Sequence, residues 1–213
     1  MEKRILCYGD SNTYGFNPYD CSRYNENQRW SGILKQSLKD KYEVIEEGQN
    51  NRTGIADNPD GFEYSAQRHF PKLISKIGQI DILILAVGTN DLQYLFDVSF
   101  KNIERGIENL ITIAKSHKVK NIILVPPVRI RDCVLSGMFS NQFDELSIKK
   151  SKRVDRIYKK LARVLNCNYI DFNDFVKPSD KDGLHYDISS HVIIAEKLKN
   201  FITEQIALEK DYV

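Results

Sequence analysis

The sequence predicts an α/β fold, a three-layer α/β/α sandwich on about five parallel strands. Three observations lead there. Short apolar runs alternate with longer stretches of helical period, the order that βαβ units require. One run, Ile82-Leu83-Ile84-Leu85-Ala86-Val87, is apolar on both faces, as a central parallel strand is when helices cover each side. Polar, glycine-containing clusters come after several of the runs, at the sheet edge where open α/β folds place their ligands. Right-handed crossovers leave few topologies, and a flavodoxin-like order is the expected one.

Strands are expected, in chain order, at Arg4–Gly9, Tyr42–Gly48, Asp81–Gly88, Asn121–Pro127 and Tyr169–Phe172. Trp30, Ile33, Leu34 and Leu38 give a short helix after the first strand. Ile103, Ile107, Leu110, Ile111 and Ala114 share one helical face behind Ser99 as N-cap. Val154, Ile157, Tyr158, Leu161 and Leu165 make a further stripe, and Ile194, Leu198, Phe201 and Ile202 the last. The basic residues from Lys149 to Arg163 are threaded by an apolar stripe, so they read as the solvated face of one amphipathic helix. Asn12–Gln28 and Val128–Phe143 lack clean periodicity and are expected as loops at the ligand edge.

With 213 residues, 41% hydrophobic and 28% charged, the chain reads as one globular domain over residues 1–213. Lys and Arg total 31 against 29 Asp and Glu, so the net charge of +2 argues against nucleic acid or an anionic membrane as main partner. No apolar run approaches the ~20 residues of a membrane span. The start, Met1-Glu2-Lys3-Arg4-Ile5-Leu6-Cys7, reaches a glycine turn too early for a signal-peptide core, so a cytoplasmic location is expected. The four cysteines, Cys7, Cys21, Cys133 and Cys167, are widely spaced with no CxxC, so free thiols and no zinc site are expected.

Four polar clusters carry the chemistry. They are Tyr8-Gly9-Asp10-Ser11-Asn12-Thr13-Tyr14-Gly15, Glu46-Glu47-Gly48-Gln49-Asn50-Asn51-Arg52-Thr53-Gly54, Gly88-Thr89-Asn90-Asp91 and Asp182-Gly183-Leu184-His185. Three come directly after an expected strand, and the fourth lies in the loop after strand five, within reach of Ser11. A serine hydroxyl becomes a nucleophile only when a neighbouring base takes its proton, and the base needs a carboxylate to fix its tautomer. Asp182 stands three residues before His185, so one loop can hold both. The Ser11 N–H, the Gly48 N–H and the Asn90 side-chain amide are expected to form an oxyanion hole. Asp10 and Asp91 are expected to brace their turns. Arg52 either lines the pocket or holds the second loop. His191 is six residues from His185, not the spacing of a helical metal pair, and reads as structural.

Ser11, Gly48, Asn90 and His185 sit in blocks that resemble those of the SGNH hydrolases, also called GDSL esterases and lipases, over essentially the whole chain. The resemblance implies Ser11 as nucleophile, His185 as base, Asp182 as third triad member, and Ser11, Gly48 and Asn90 as oxyanion donors, with no cofactor and no metal. Glu47-Gly48 with Arg52-Thr53, and Gly88-Thr89-Asn90-Asp91, look especially like the bacterial arylesterase and acyltransferase branch, which acts on small acyl esters and often forms oligomers. Asn12 departs from the pattern, standing where the motif's name has Leu. The expected activity is a serine esterase acting on a small-molecule acyl ester; carbohydrate acetylesterase, thioesterase and acyltransferase share the triad. The alternative of another class is a non-catalytic flavodoxin-like binding module, with Gly9–Gly15 cradling a phosphate. Val134, Leu135, Met138 and Phe139 are too apolar to be left in water, and are expected to wall the acyl pocket, form a homo-oligomer interface, or both.

Overall fold

Leu6, Cys7, Leu83, Ile84, Ile123 and Leu124 are all fully buried, successive residues on three strands alike, so both faces of the sheet are covered. The computed structural model describes residues 3–206. Its strands are β1 (Lys3–Gly9), β2 (Tyr42–Gly48), β3 (Ile82–Ala86), β4 (Asn121–Leu124) and β5 (Asn168–Tyr169). All pair in parallel, in the order β2-β1-β3-β4-β5. This is the flavodoxin-like order, with its switch point between β1 and β3.

The helices are α1 (Ser11–Tyr14), α2 (Trp30–Leu38), α3 (Ala66–Ile77), α4 (Phe100–Ser116), α5 (Glu145–Ser151), α6 (Asp155–Val164) and α7 (Ile188–Phe201). α2 packs on α7, and α4 packs on both α3 and α6, which gives the two outer layers. The Ser99 hydroxyl caps α4 by accepting from the Asn102 N–H, as expected from the sequence.

β3 runs only from Ile82 to Ala86 rather than from Asp81 to Gly88, and three further elements differ from the sequence reading. β4 stops at Leu124, not Pro127, because Pro126 and Pro127 have no N–H for the ladder; the Val125 N–H gives the last bond, to the Leu85 carbonyl. β5 is two residues long, with one further bond beyond it from the Ile170 N–H to the Leu124 carbonyl. The basic run lies on two helices rather than one. Asp144 and Ser147 start α5 with a reciprocal capping box. The chain then turns at residues 152–154, where buried Ser151 gives its hydroxyl to the Ile148 carbonyl and accepts the Ile130 N–H. All four cysteines are free, and Cys7 is buried in β1. Among the described residues no helix is long and apolar enough to cross a membrane.

Candidate active site

β1 ends at Gly9, and the chain turns at once into α1. Asp10 caps that helix, its carboxylate accepting the Asn12 N–H at 3.0 Å. Burial pushes the Asp10 carboxyl up, against hydrogen bonds from Asn12 and Thr89. Asp10 thus braces the turn, and Ser11 stands at the first position of α1, 8% exposed.

The loop before α7 brings the base. Gly183 holds a left-handed φ of 75°, and a Cβ there would lie 2.9 Å from the Arg131 carbonyl oxygen, so the turn is tight and needs glycine. The turn folds the Asp182 carboxylate back over the chain that follows it: Oδ1 accepts the Leu184 and His185 N–H groups, both at 2.9 Å. Asp182 Oδ2 meets His185 Nδ1 at 2.6 Å, and His185 Nε2 lies 2.8 Å from Ser11 Oγ. A carboxylate only accepts, so Nδ1 carries the proton and Nε2 is the free base facing the hydroxyl. Burial raises the Asp182 carboxyl, but the hydrogen bond and charge of His185 and the two backbone N–H groups outweigh it and hold it below the usual range. Phe16 and Phe139 flank the imidazole, with ring centroids 4.3 and 5.3 Å from it.

A second set of groups comes from the loops after β2 and β3. Asn51 holds a left-handed φ of 58°. Its Nδ2 donates to the Asp60 carboxylate and its Oδ1 accepts from Gln93 Nε2 at 3.0 Å. The same Gln93 nitrogen donates to Asn90 Oδ1 at 3.1 Å, and Asn90 Nδ2 donates to the Arg52 carbonyl at 3.0 Å. Pure acceptors, Asp60 and a backbone carbonyl, stand at both ends of this chain and fix every amide in it. One N–H of Asn90 is left over. Among the described residues the peptide N–H groups of Ser11 and Asn51 have no acceptor either.

Ser11, Asn51, Asn90 and His185 line one cavity of about 190 Å³, with Asn50, Thr89 and Gln142 around them. Its apolar wall is Phe16, Phe139, Phe143 and Leu184. A larger groove of about 810 Å³, between Arg131 and the 173–181 segment, contains no member of the Asp182–His185–Ser11 chain.

Several expected residues take other roles. Gly48 does not line the cavity. The Gln49 N–H closes the ladder on the Gly9 carbonyl, so alternation turns the Gly48 N–H away from β1. The need for glycine is steric, since a Cβ would lie 2.1 Å from the Tyr14 nitrogen. Arg52 holds the second loop: it is 2% exposed, donates to the carbonyls of Gly9, Glu47 and Glu63, and its guanidinium lies 4.4 Å over the Tyr8 ring. Asp91 accepts the N–H groups of Gly54, Ile55 and Ala56 at 2.5, 2.8 and 2.7 Å and so ties the two loops together. The 128–143 segment divides. Val134 is buried, Phe139 walls the cavity, and Met138 is 49% exposed with its sulfur 4.0 Å from Cys21 Sγ.

Asn51 and Gln93 were not singled out by the sequence. The one available signal is the Asn50-Asn51 pair after a strand, since Asn tolerates the left-handed conformation better than other residues with side chains.

The model of a GDSL-like lipase/acylhydrolase family matches residues 7–191. No curated protein matches the chain. Among solved structures, the aryl esterase of M. smegmatis is 26% identical with a TM-score of 0.85, over 94% of this chain and 98% of that one. Est24, a carbohydrate acetylesterase from Sinorhizobium meliloti, is 26% identical with a TM-score of 0.82, over 95% and 99% of the two chains. A putative arylesterase from Agrobacterium tumefaciens is 25% identical with a TM-score of 0.83, again over 95% and 99%.

Proposed function

The chain belongs to the GDSL-like lipase/acylhydrolase family and is an ester-hydrolysing enzyme, and on that premise we propose that it cleaves small acyl esters through a covalent acyl-enzyme on Ser11. The observation that carries the reading is the unbroken hydrogen-bond chain Asp182–His185–Ser11, ending in the cavity that Asn51 and Asn90 also line.

Ser11 Oγ attacks the ester carbonyl carbon while its proton passes to His185 Nε2, and the Asp182 carboxylate stabilises the imidazolium. The carbonyl oxygen becomes an oxyanion, received by the Ser11 N–H, the Asn51 N–H and the remaining Asn90 N–H. Asn51 thus takes the backbone role expected of Gly48. Collapse expels the alcohol with the proton from His185. Water, deprotonated by the same imidazole, then attacks the acyl-serine and releases the acid.

The cavity, at about 190 Å³, falls below the ~300–1,000 Å³ of sites for drug-sized ligands, which favours acetyl and other short acyl groups against the Phe16, Phe139 and Phe143 wall. Asn50 and Gln142, polar residues that line the cavity, suit a hydroxyl-rich alcohol better than an aromatic one. Acetylated sugars are therefore the second reading, and the likeness to Est24 supports it. Self-association and a cytoplasmic site of action, both expected from the sequence, stay within this proposal and are read by light scattering and fractionation.

The test is a fluorophosphonate label mapped by mass spectrometry, beside rates on p-nitrophenyl acetate, butyrate and octanoate and on acetylated sugars. Labelling at Ser11 and a preference for acetate are expected. Turnover by a protein whose Ser11 stays unlabelled would overturn the mechanism, and a preference for octanoate would overturn the short-acyl reading.

A further inference from the structure

Ser11 and His185 are 174 residues apart and are held by different parts of the fold, Ser11 by β1 and α1, His185 by the loop before α7. Nothing in the Asp182–His185 pairing sets where that loop sits relative to Ser11, because Asp182 and His185 move together. Among the described residues, the only side-chain hydrogen bonds between α1 and residues 182–187, apart from the Ser11–His185 bond itself, come from Asn12. Its Nδ2 donates to the Leu184 carbonyl at 3.1 Å and its Oδ1 accepts the Tyr186 N–H at 3.2 Å. One amide therefore grips the backbone on both sides of His185. Asn12 is itself fixed, its N–H on the Asp10 carboxylate and its carbonyl accepting from Trp30 Nε1 at 3.0 Å.

We propose that Asn12 is a positioning residue that sets His185 Nε2 on Ser11 Oγ by clamping the peptide groups flanking the base. The proposal rests on the reading of Ser11 as nucleophile and His185 as base. Leucine, the residue in the motif's name, can make neither bond. In this chain the position after the nucleophile therefore serves base alignment through hydrogen bonds. An in-line proton transfer is sensitive to this: a misplacement near 1 Å costs up to about 100-fold in rate.

The experiment compares Asn12→Leu and Asn12→Asp with the wild type on p-nitrophenyl acetate, with kcat expressed per site that a fluorophosphonate labels at saturation. Asn12→Leu loses both bonds. Asn12→Asp keeps an acceptor for Tyr186 but sets a second carboxylate oxygen against the Leu184 carbonyl. Both are expected to lower kcat about 10- to 100-fold per labelled site. KM should stay within about twofold, and labelling of Ser11 should slow in step with kcat. A merely structural role would lower the number of labelled sites and leave kcat per site unchanged, and that result overturns the proposal. So does a rise in KM with kcat intact, which would mean contact with substrate. If Asn12→Leu fails to fold, Asn12→Asp decides alone by the same two numbers. Failure of wild-type labelling at Ser11 would instead sink the catalytic reading on which the proposal stands.

Discussion

Asp182 reaches His185 across three residues of one loop, whereas Asn90 reaches Asn51 only through Gln93, from loops about forty residues apart. The first half of the site is built from a local turn and then docked onto Ser11 by Asn12. The second half has no local turn that makes it. It exists because β2 and β3 flank β1, so that the loops leaving them meet at the same sheet edge. Asp91 then fastens one loop to three successive N–H groups of the other. A proton-transfer unit can be written into a few adjacent residues, but a charge-stabilising pocket needs donors that converge from separate segments.

The comparison breaks most directly at Ser11. Ser11→Ala removes the shared member of both halves, as hydroxyl on one side and attachment point of the oxyanion on the other. Activity on p-nitrophenyl acetate is expected to fall by at least about 10³-fold, with the folded state retained in circular dichroism. Wild-type turnover would end the assignment. Asn90→Ala tests the second half alone. It is expected to lower kcat by about 10²–10³-fold, the scale of one lost oxyanion donor, with KM little changed. An effect confined to KM would make Asn90 a binding group.

Gln93→Leu sharpens the contrast further, because Gln93 touches no part of the triad. It is 5% exposed and spends one nitrogen on both Asn51 and Asn90. Replacement frees the two amides to rotate. A fall in kcat of about tenfold is expected, an intermediate cost for a donor that is loosened rather than deleted. Double mutation with Asn90→Ala should cost less than the sum of the two, since Gln93 acts in part through Asn90 and in part through Asn51. Full additivity would mean that Gln93 does not act through Asn90.

This difference also explains what could be read from the sequence. The strand positions followed from the apolar runs, and Asp182 with His185 from their spacing, because both signals are local. Gly48 was legible as a necessary glycine, but the direction of its N–H depends on ladder register with Gly9, which no single segment encodes. Asn51 and Gln93 look like ordinary loop amides until the sheet brings them together. The split of the basic run into α5 and α6 was hidden for the same reason. It depends on Ser151 meeting the Ile130 N–H from a distant loop.

A buried titratable group can be picked out beneath each half, His191 and Asp91, and these two respond to acid with opposite sign. Below the triad half is His191, fully buried, its Nδ1 accepting the Trp30 N–H at 3.3 Å while Trp30 Nε1 supports Asn12. Burial, opposed by Asp187 and aided by His185, brings the His191 pKa down from 6.5 to about 3. Between those values the unfolded chain binds a proton that the folded chain refuses, so stability is lost as pH falls, at up to ~1.4 kcal/mol per pH unit. Below the second half is Asp91, raised from 3.8 to about 6 by burial against three opposing backbone N–H bonds. There the folded chain takes the proton first, so this group adds stability as pH falls from about 6 to about 4. Melting temperatures of the wild type, His191→Asn and Asp91→Asn between pH 4 and 7 separate the two. The advantage of the wild type over His191→Asn should shrink with falling pH, because asparagine keeps an acceptor for Trp30 without a charge to suppress. The advantage over Asp91→Asn should grow, because the amide presents one oxygen to three N–H donors at every pH while the carboxyl gains its proton. Two difference curves of the same slope would mean that the halves are not set apart by what lies beneath them, and would leave the contrast between them to their hydrogen bonds alone.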